Sequence, residues 1–542
     1  MSAMLSNTTT ANISTDNGAK GKDGASRYAS HRHATRRADA VIIGAGIAGL
    51  TAAALLAKQG YRVVVIERDV HPGGCAAGFS QQGYRFAVGA TVAMGFEAGG
   101  IHQQIYHQLG IEPQYVNVRP ALRVHLPDRT AWVRTERSAW FEELRRVFPG
   151  QDAAKQAFWQ DIAKIAAGMY HASQRFPVMP FRHAYDLWDT AKAAHPKMLP
   201  VFLNLPRTIA QKLERYSIDD PAHRAFIDGQ LLDAMQTTAQ DCVATSGALA
   251  LDIYRFGCQY KIGGLESIAQ DLANYVTAKG GEVRYACRAK AILHEDKRVR
   301  GVATSRGEVH APVLISAIPL ANTAALLEQP HTSKLSQRAA EQPPMWGAFT
   351  LYLGVDEHAL PEDVHYYEQI TDIGHYHDGG NMLVSISPHW DRSRAPLGKR
   401  AITVSTHVDA AKWLEYAQNK EVYHAQKAAL ETHLLNQLER ALPNIRQGIE
   451  VMLSGSPRTF YNFTLRQGGT VGGIPQTHAH ANFAAPSHRS DIHGLFLAGD
   501  TVFPGQGTIG VSVSGYNAAR SAARLLARQP STLSSMPEEA LA

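Results

Sequence analysis

The chain has 542 residues, too many for one compact core, so we expect two or more domains. Its 45% hydrophobic and 19% charged residues are typical of a globular protein that can also hold an apolar ligand. The first 38 residues carry six cations and two aspartates, so only about +2 of the net charge of +6 belongs to the remainder, which excludes a basic nucleic-acid-binding body.

The cysteine and histidine patterns argue against a disulfide framework and against a metal site. The four cysteines form no CxxC pair, which fits a reducing cytoplasm: Cys75, Cys242, Cys258 and Cys287. Two histidine pairs lack carboxylates or cysteines at ligand spacing: His375 with His377, and His478 with His480. We therefore predict no bound metal and place both histidine pairs in polar loops.

Both ends of the chain are predicted to lack a fixed structure. Residues 1–38 are rich in Ser, Thr, Asn and Gly and poor in large apolar side chains, which predicts a disordered extension. A transit peptide is a second interpretation, which two aspartates and the lack of apolar periodicity weaken. We expect residues 528–542 to form a flexible C-terminus.

The strongest motif lies between Val41 and Glu67. A short apolar strand, 40–43, precedes Gly44, Gly46 and Gly49 at the GxGxxG spacing. The first glycine suits a tight turn, the second the close approach of a pyrophosphate, and the third close packing of helix on strand. The helix over 47–59 directs its N-terminal N–H groups at that phosphate, and Glu67 ends the next strand where a carboxylate holds a ribose hydroxyl. This βαβ pattern predicts a dinucleotide-binding domain.

The same stretch has a competing interpretation as a membrane anchor. Residues 40–57 carry no charge, and Arg36 and Arg37 precede them, as in a signal or twin-arginine segment. The glycines crowd into the front half, however, and a second strand with an acidic end follows at βαβ distance. The dinucleotide-binding interpretation is therefore the stronger one.

Further cofactor contacts are predicted after this motif and near the C-terminus. Gly73 and Gly74 form a loop whose backbone can approach a large flat or phosphate-bearing ligand. A buried strand delivers Gly499 and Asp500, and a helix begins near Ile509 and runs to about residue 527. Asp500 can accept a hydrogen bond from a polyol hydroxyl, and the helix N-terminus can stabilise the negative charge of a reduced flavin. The two ends together predict one flavin site.

The middle of the chain changes character along its length. Residues 120–245 are mostly helical in pattern, and 175–206 mix aromatic residues, prolines and cations, which suits a lid or a surface in one membrane leaflet as well as plain core packing. A strand over 313–317 is expected to return to the first sheet. Short strands over 349–354, 382–387 and 401–407 and a helix over 420–442 predict a separate α+β substrate domain.

These motifs carry a family resemblance. VIIGAGIAGL…VVIER…PGGC near the front, paired with GLFLAGD…FPGQG near the end, resembles the phytoene desaturase family of FAD-dependent oxidoreductases over residues 39–527. FPGQG and the segment 457–473 are most similar to carotenoid 3,4-desaturases and poly-cis carotenoid isomerases. Ala87 departs from the pattern, since many relatives carry an acidic residue there.

The resemblance implies an α/β fold with a Rossmann-like FAD-binding domain of the glutathione-reductase type. We assign this discontinuous domain to 39–119, 250–320 and 485–527, a helical substrate or membrane-facing region to 120–249, and the substrate domain to 321–484. The implied cofactor-binding residues are Gly44, Gly46, Gly49, Glu67, Arg68, Gly74, Cys75, Ala289, Gly499, Asp500 and Ile509. No residue is nominated as the catalytic acid or base.

The implied function is oxidation of a carotenoid or related isoprenoid polyene. The leading hypothesis is C–C desaturation by hydride transfer to flavin, followed by reoxidation with oxygen, a quinone or another acceptor. Two alternatives are a redox-neutral poly-cis carotenoid isomerase that uses reduced FAD and a non-enzymatic prenyl-lipid carrier. An amine oxidase fits the aromatic insert and FPGQG poorly. We expect a cytoplasmic protein, peripheral on the inner face of the membrane, with no nucleic-acid partner.

Overall fold

The computed structural model describes residues 36–327 and 333–528, which contain twenty strands and seventeen α-helices joined by turns and loops. The strands are β1 (Arg36–Arg37), β2 (Ala40–Ile43), β3 (Val63–Ile66), β4 (Gly78–Gln81), β5 (Tyr84–Ala87), β6 (Tyr115–Asn117), β7 (Leu122–His125), β8 (Thr130–Val133), β9 (Gln259–Lys261), β10 (Glu282–Arg284), β11 (Ala289–Glu295), β12 (Arg298–Thr304), β13 (Gly307–His310), β14 (Val313–Ser316), β15 (Gly347–Asp356), β16 (Tyr367–Thr371), β17 (Asn381–Ile386), β18 (Lys399–Val408), β19 (Ile449–Gly455) and β20 (Leu495–Leu497). The helices are α1 (Ile47–Lys58), α2 (Ile101–Leu109), α3 (Arg137–Val147), α4 (Asp152–Ser173), α5 (Ala184–Ala191), α6 (Leu199–Asn204), α7 (Ile209–Arg215), α8 (Pro221–Met235), α9 (Ala244–Asp252), α10 (Glu266–Ala278), α11 (Leu320–Ala324), α12 (Lys334–Ala340), α13 (Ala410–Tyr416), α14 (Lys420–Ala441), α15 (Ile445–Gly448), α16 (Pro457–Thr464) and α17 (Gly507–Leu526).

A five-stranded parallel sheet forms the centre of the N-terminal βαβ region. Its strand order is β10-β3-β2-β14-β20, and all four neighbouring pairs are parallel. The strands β2, β3 and β14 are short apolar runs that are buried throughout, as expected for a parallel sheet covered on both faces. The prediction that residues 313–317 return to the first sheet is confirmed, because β14 lies between β2 and β20.

Helix α1 occupies the middle of one face of this sheet. All of its residues except Lys58 are buried, and it packs against α10 and α17. Its uncharged sequence is therefore explained by burial inside the protein. Among residues 36–327 and 333–528, no helix combines the length and the apolar character that crossing a membrane would need.

A small four-stranded sheet, β1-β13-β12-β11, flanks the parallel sheet. Strand β1 differs from the predicted extension over 1–38, because Arg36 and Arg37 pair in parallel with Val309 and His310. Ala38, which follows them, is buried. Backbone pairing with a distant strand leaves no signature in local composition. The predicted disordered extension over 1–38 is therefore too long at its C-terminal end. The predictions for residues 1–35 and for the tail from 529 to 542 fall outside the described residues.

A seven-stranded sheet of order β19-β15-β18-β17-β16-β7-β8 forms the substrate side of the molecule. Its strands are antiparallel except for the parallel pair β16 and β7. Strands β7 and β8 correct the prediction that the chain is helical from residue 120, since they belong to this sheet. Helices α3 to α9 follow over residues 137–252, as the helical pattern predicts.

Candidate active site

A cavity of about 1690 Å³ extends from the parallel sheet to the seven-stranded sheet. Residues at or just after the carboxyl ends of β2, β3 and β20 line one part of it, and residues of β15 and β18 line another. Open parallel sheets bind their ligands beyond the carboxyl ends of the strands. The cavity therefore lies where the fold places a dinucleotide, and it continues into the substrate side.

The glycine loop forms the first wall of this cavity. Gly44 follows β2 with φ of +99°, a conformation that favours glycine. Gly46 precedes α1, and a Cβ there would have no neighbour nearer than the Gly73 carbonyl oxygen at 4.0 Å, so the backbone is open to a ligand. Gly49 does not line the cavity: a Cβ there would overlap the Gly44 carbonyl oxygen and stand 3.1 Å from the Ile42 side chain. The first two glycines thus face the cavity, and Gly49 allows α1 to approach β2.

Glu67 closes the predicted adenosine end. Its Oε2 accepts a hydrogen bond from the Ala45 N–H at 2.7 Å, and its Oε1 accepts one from the Asp69 N–H at 2.7 Å. Burial raises the pKa of Glu67, and these two hydrogen bonds oppose that rise. Arg68 and Ala289 line the same cavity. The carboxylate is thus held beside the glycine loop, where a ribose hydroxyl would meet it.

An ion pair organises the predicted flavin end. Asp500 Oδ2 lies 2.9 Å from Arg466 Nη2, and Arg466 Nη1 lies 3.8 Å from the Cys75 Sγ. Burial raises the pKa of the Cys75 thiol, so the sulfur stays protonated at neutral pH. Ile509 lies in the first turn of α17, whose N-terminus carries partial positive charge. A buried guanidinium and a helix N-terminus therefore both line the cavity at this end.

The residues present fit an extended FAD molecule. Gly74 has φ of +58°, and a Cβ added there would lie 3.4 Å from Gly46 Cα. Gly499 has φ of +117°, and the only atom within 4 Å of a Cβ added there is the Ala317 carbonyl oxygen, at 3.8 Å. Side chains at either position would narrow the cavity between its two ends. Bound FAD would have its pyrophosphate at the glycine loop and its ring system near Asp500, and it supplies the hydride-accepting chemistry. These cofactor contacts remain predictions.

The structure brings the predicted site residues together. Ten of the eleven line the one cavity, and Gly49 stands behind it: Gly44, Gly46, Glu67, Arg68, Gly74, Cys75, Ala289, Gly499, Asp500 and Ile509 are the lining residues. Sequence reasoning missed Arg466, which is far from Asp500 along the chain. A lone arginine in the glycine-rich segment 466–473 was the available signal, and its partner could not be read from spacing.

Sequence reasoning also missed a polar cluster on the cavity wall, formed by Asp233, Gln236 and His407. Asp233 accepts hydrogen bonds from Gln369 Nε2 at 2.6 Å and from Asn381 Nδ2 at 2.9 Å. Burial raises the pKa of Asp233 to about 7, against the lowering effect of these two bonds. Burial also lowers the pKa of His407 to about 4, so its ring is neutral at neutral pH.

The two histidine pairs make local contacts in the structure, and His377 Nδ1 lies 2.8 Å from Asp378 Oδ2. The rings of His375 and His377 have centroids 4.5 Å apart, and His480 Nδ1 lies 3.0 Å from the Thr477 hydroxyl. In the described ranges there is no group of three or more His, Cys, Asp or Glu side chains that could hold a metal ion. The absence of a metal stays a prediction of the sequence.

Comparisons with known proteins agree with this geometry. The family model of flavin containing amine oxidoreductases matches residues 47–523. The chain is 28% identical over 495 residues to chloroplastic prolycopene isomerase of Daucus carota, covering 89% of this chain and 79% of that protein. It is 26% identical over 502 residues to the neurosporene-forming phytoene desaturase of Cereibacter sphaeroides, covering 87% and 92%. The solved cyclohexylamine oxidase of Brevibacterium oxydans IH-35A has a TM-score of 0.60 at 16% identity, covering 91% of this chain and all of that one (100%).

The family match spans both ends of the cavity, from the start of α1 to near the end of α17. At 16% identity the solved structure supports the fold alone. The predicted α/β flavin fold is confirmed, and the family match confirms the FAD cofactor and the assignment as an oxidoreductase. The resemblance to the desaturase and isomerase subgroup is also confirmed. The chain belongs to the family of flavin containing amine oxidoreductases.

Proposed function

We propose that the protein oxidises a carotenoid or related isoprenoid polyene with FAD, by C–C desaturation. The observation that carries this proposal is the cavity of about 1690 Å³, which continues past the FAD end into walls of apolar side chains. Ordinary ligand sites measure about 300 to 1,000 Å³, so there is room for a second, elongated apolar molecule. The similarity to a phytoene desaturase supports the polyene assignment.

The second candidate is a redox-neutral isomerase, favoured by the similarity to prolycopene isomerase. Both candidate reactions use the same cavity. The desaturase transfers electrons from the substrate to an acceptor, whereas the isomerase causes no net electron transfer. Purified, FAD-loaded protein is given phytoene or a poly-cis carotene, with oxygen or a quinone as acceptor and, separately, without oxygen after FAD reduction. We expect desaturated product to form in proportion to the acceptor that is consumed. Isomer formation without a stoichiometric acceptor would replace the desaturase by the isomerase, and no conversion in any arm would overturn both.

We propose further that the protein is peripheral on the inner face of a membrane, on the cytoplasmic side, and takes its substrate from the lipid. Support comes from an apolar rim at the cavity, whose members are all exposed and all line it: Phe181, Leu187, Leu199, Phe202, Tyr461, Phe463 and Phe483. Trp188, 67% exposed, lies next to this rim on α5. Exposed apolar side chains gathered in one patch are typical of membrane interaction sites.

Vesicle flotation tests this membrane proposal. With anionic phospholipid vesicles we expect the protein to float with the lipid, and the Trp188→Ser, Phe202→Ser double variant to lose most of that binding. Leu397→Ser is the matched control, because Leu397 is also exposed (78%) but does not line the cavity. Equal flotation of the double variant and the control would overturn the role of the rim.

A further inference from the structure

Asp233 is the one carboxylate in the described part of the chain that lines the substrate side of the cavity. Three others line the cavity: Glu67 and Asp69 lie at the adenosine end, and Asp500 pairs with Arg466 at the flavin end. The Asp233 side chain keeps 21% of its surface exposed, and this surface faces the cavity. Desaturation releases a proton from carbon, so a base on this side has a definite task.

Two amide side chains hold the Asp233 carboxylate, and no lysine or arginine among the described residues pairs with it. Gln369 on β16 donates to Oδ2 at 2.6 Å, and Asn381 on β17 donates to Oδ1 at 2.9 Å. A carboxylate has about four acceptor positions, so each oxygen keeps one for a proton. The titratable groups that face it are His407 on β18, with Nδ1 3.8 Å from Oδ1, and Tyr254, just after α9. Burial lowers the pKa of His407 and raises that of Tyr254, so both are neutral at neutral pH.

These surroundings give Asp233 the acid–base property that the reaction needs. Burial raises its pKa to about 7, so the carboxylate is ionised above that pH and can still accept a proton near it. His407 cannot replace it, because its Nδ1 is buried away from the cavity and its Nε2 lies 3.1 Å from the Gln236 amide nitrogen.

Helix α8 brings Asp233 close to the predicted flavin end. The side-chain amide of Gln506, the residue before α17, donates to the carbonyl oxygen of Ala234, the residue after Asp233. Gln506 and Ala234 line the cavity, as does Ile509 in the first turn of α17. The carboxylate therefore lies on the substrate wall beside the helix end that is assigned to the flavin.

We propose that Asp233 is the catalytic base of the desaturation and takes the proton that leaves the polyene carbon next to the hydride donor. The C–H bond at that carbon breaks, its electron pair becomes the second bond of the new C=C, and its proton moves to a carboxylate oxygen. The hydride from the neighbouring carbon carries two electrons to FAD, and oxygen or a quinone then takes them. Water receives the proton from Asp233 after the product leaves. This inference rests on the proposed function and names the residue that performs its proton transfer.

A binding measurement tests the charge of Asp233 without turnover. FAD-loaded full-length protein in detergent micelles is titrated with a polyene hydrocarbon and with its quaternary ammonium analogue, and binding is followed by the shift in polyene absorption. At pH 8.5 we expect the ratio of ammonium to hydrocarbon affinity to be about ten times higher in wild type than in Asp233→Asn, because only the carboxylate is charged. At pH 5.5 wild-type Asp233 is protonated, and the two proteins should have equal ratios.

Turnover of the same two proteins tests the proton transfer. The kcat of wild-type desaturation should fall below about pH 7, as Asp233 becomes protonated. Asp233→Asn keeps the tie from α8 to β16 and β17 but should lower kcat by about 10²–10⁴ and lose this pH dependence. Asp241→Asn makes the same change at an exposed position outside the cavity and should behave as wild type.

The outcomes separate this inference from the proposed function. FAD absorbance and circular dichroism check folding, and if Asp233→Asn does not fold, the change in the wild-type affinity ratio between the two pH values decides. A wild-type ratio that does not change with pH, or an Asp233→Asn protein with wild-type kcat, would overturn the role of Asp233 alone. If wild type converts no polyene, the proposed function fails, and the proton transfer fails with it.

Discussion

Arg466 shows how one residue joins two predicted cofactor segments. Its guanidinium lies between Asp500, which follows the last strand, and Cys75, which follows the Gly-Gly loop. Because Arg466 and Asp500 are both largely buried, each neutralises a charge that would otherwise be desolvated alone. The pair therefore holds the two segments in register at the flavin end.

Replacing Arg466 with Met should reduce both stability and FAD affinity. Breaking a buried pair leaves Asp500 uncompensated and lowers the free energy of unfolding by about 3–5 kcal/mol. Denaturant unfolding and FAD titration measure the two effects. Arg62→Met is the matched control, because Arg62 is 52% exposed in its pair with Asp39 and should cost less than about 1 kcal/mol. Equal losses in the two variants would contradict the role of the buried pair.

The glycines at the GxGxxG spacing give a second prediction about single residues. Gly49→Ala inserts a Cβ into the Gly44 carbonyl, so we expect overpacking and a loss of about 1–3 kcal/mol or more in unfolding free energy. Gly46→Ala adds its methyl to open cavity space and should keep the stability of the protein without cofactor but weaken FAD binding. Thermal unfolding without FAD and FAD titration distinguish them. A Gly46→Ala protein with unchanged FAD affinity would place the pyrophosphate elsewhere.

At the scale of elements, one buried network attaches β7 to the substrate sheet. Arg123 on β7 donates to Glu368 on β16 through Nε at 2.7 Å and Nη2 at 2.6 Å, and His125 Nε2 lies 2.8 Å from the same carboxylate. Burial raises the pKa of Glu368, but hydrogen bonds from His125 and Arg123 outweigh it and leave the pKa below its ordinary value of 4.5. The network thus links β7 to β16, the one parallel strand pair of this sheet.

The depressed pKa of Glu368 has a definite pH consequence. Its contribution to stability is complete above the unfolded value of 4.5 and is lost as the pH falls through the lower folded value. Glu368→Gln should lower the unfolding free energy by about 3 kcal/mol at pH 7, and the difference from wild type should shrink at pH 3.5. Glu295→Gln, in an exposed pair with Arg300, is the control in the same denaturant titration. A difference that does not change with pH would contradict the assignment.

At the scale of the whole molecule, one cavity joins segments that are distant in sequence. The glycine loop, the Gly-Gly loop, the start of β11 and the start of α17 all line one cavity. All described residues, 36–327 and 333–528, also belong to one compact unit. A ligand in that cavity therefore stabilises the parallel sheet and its surroundings together.

FAD should accordingly raise the stability of the molecule as a whole. Free FAD at about one hundred times its dissociation constant adds about 2.7 kcal/mol to the unfolding free energy. Thermal scans of the protein with and without FAD should show one transition that moves upward. Two transitions, of which FAD moves only one, would mean that the cavity joins two independently folding parts. Riboflavin, which lacks the adenosine half, is the control and should shift the transition less.

Elements marked by local sequence motifs could be predicted, whereas elements that depend on pairing between distant residues could not. Strands β2 and β3 and helix α1 were predicted within about one residue, because an apolar run, three glycines and a terminal carboxylate are local signals. Strand β7 was missed, because its residues pair with β16 more than 240 residues away and its buried charges hide the alternation.

The sequence by itself determined the two local motifs at the ends of the predicted FAD site, the glycine loop and the segment at Asp500, since each is a strand followed by a fixed local motif. Only the tertiary structure decided that β20 lies two strands from β2, that Arg466 pairs with Asp500, and that Gln236 meets His407 on the cavity wall. Those contacts join residues separated by tens to hundreds of positions. Periodicity and spacing report which face a residue occupies, whereas the partner across the cavity is selected by packing of the whole chain.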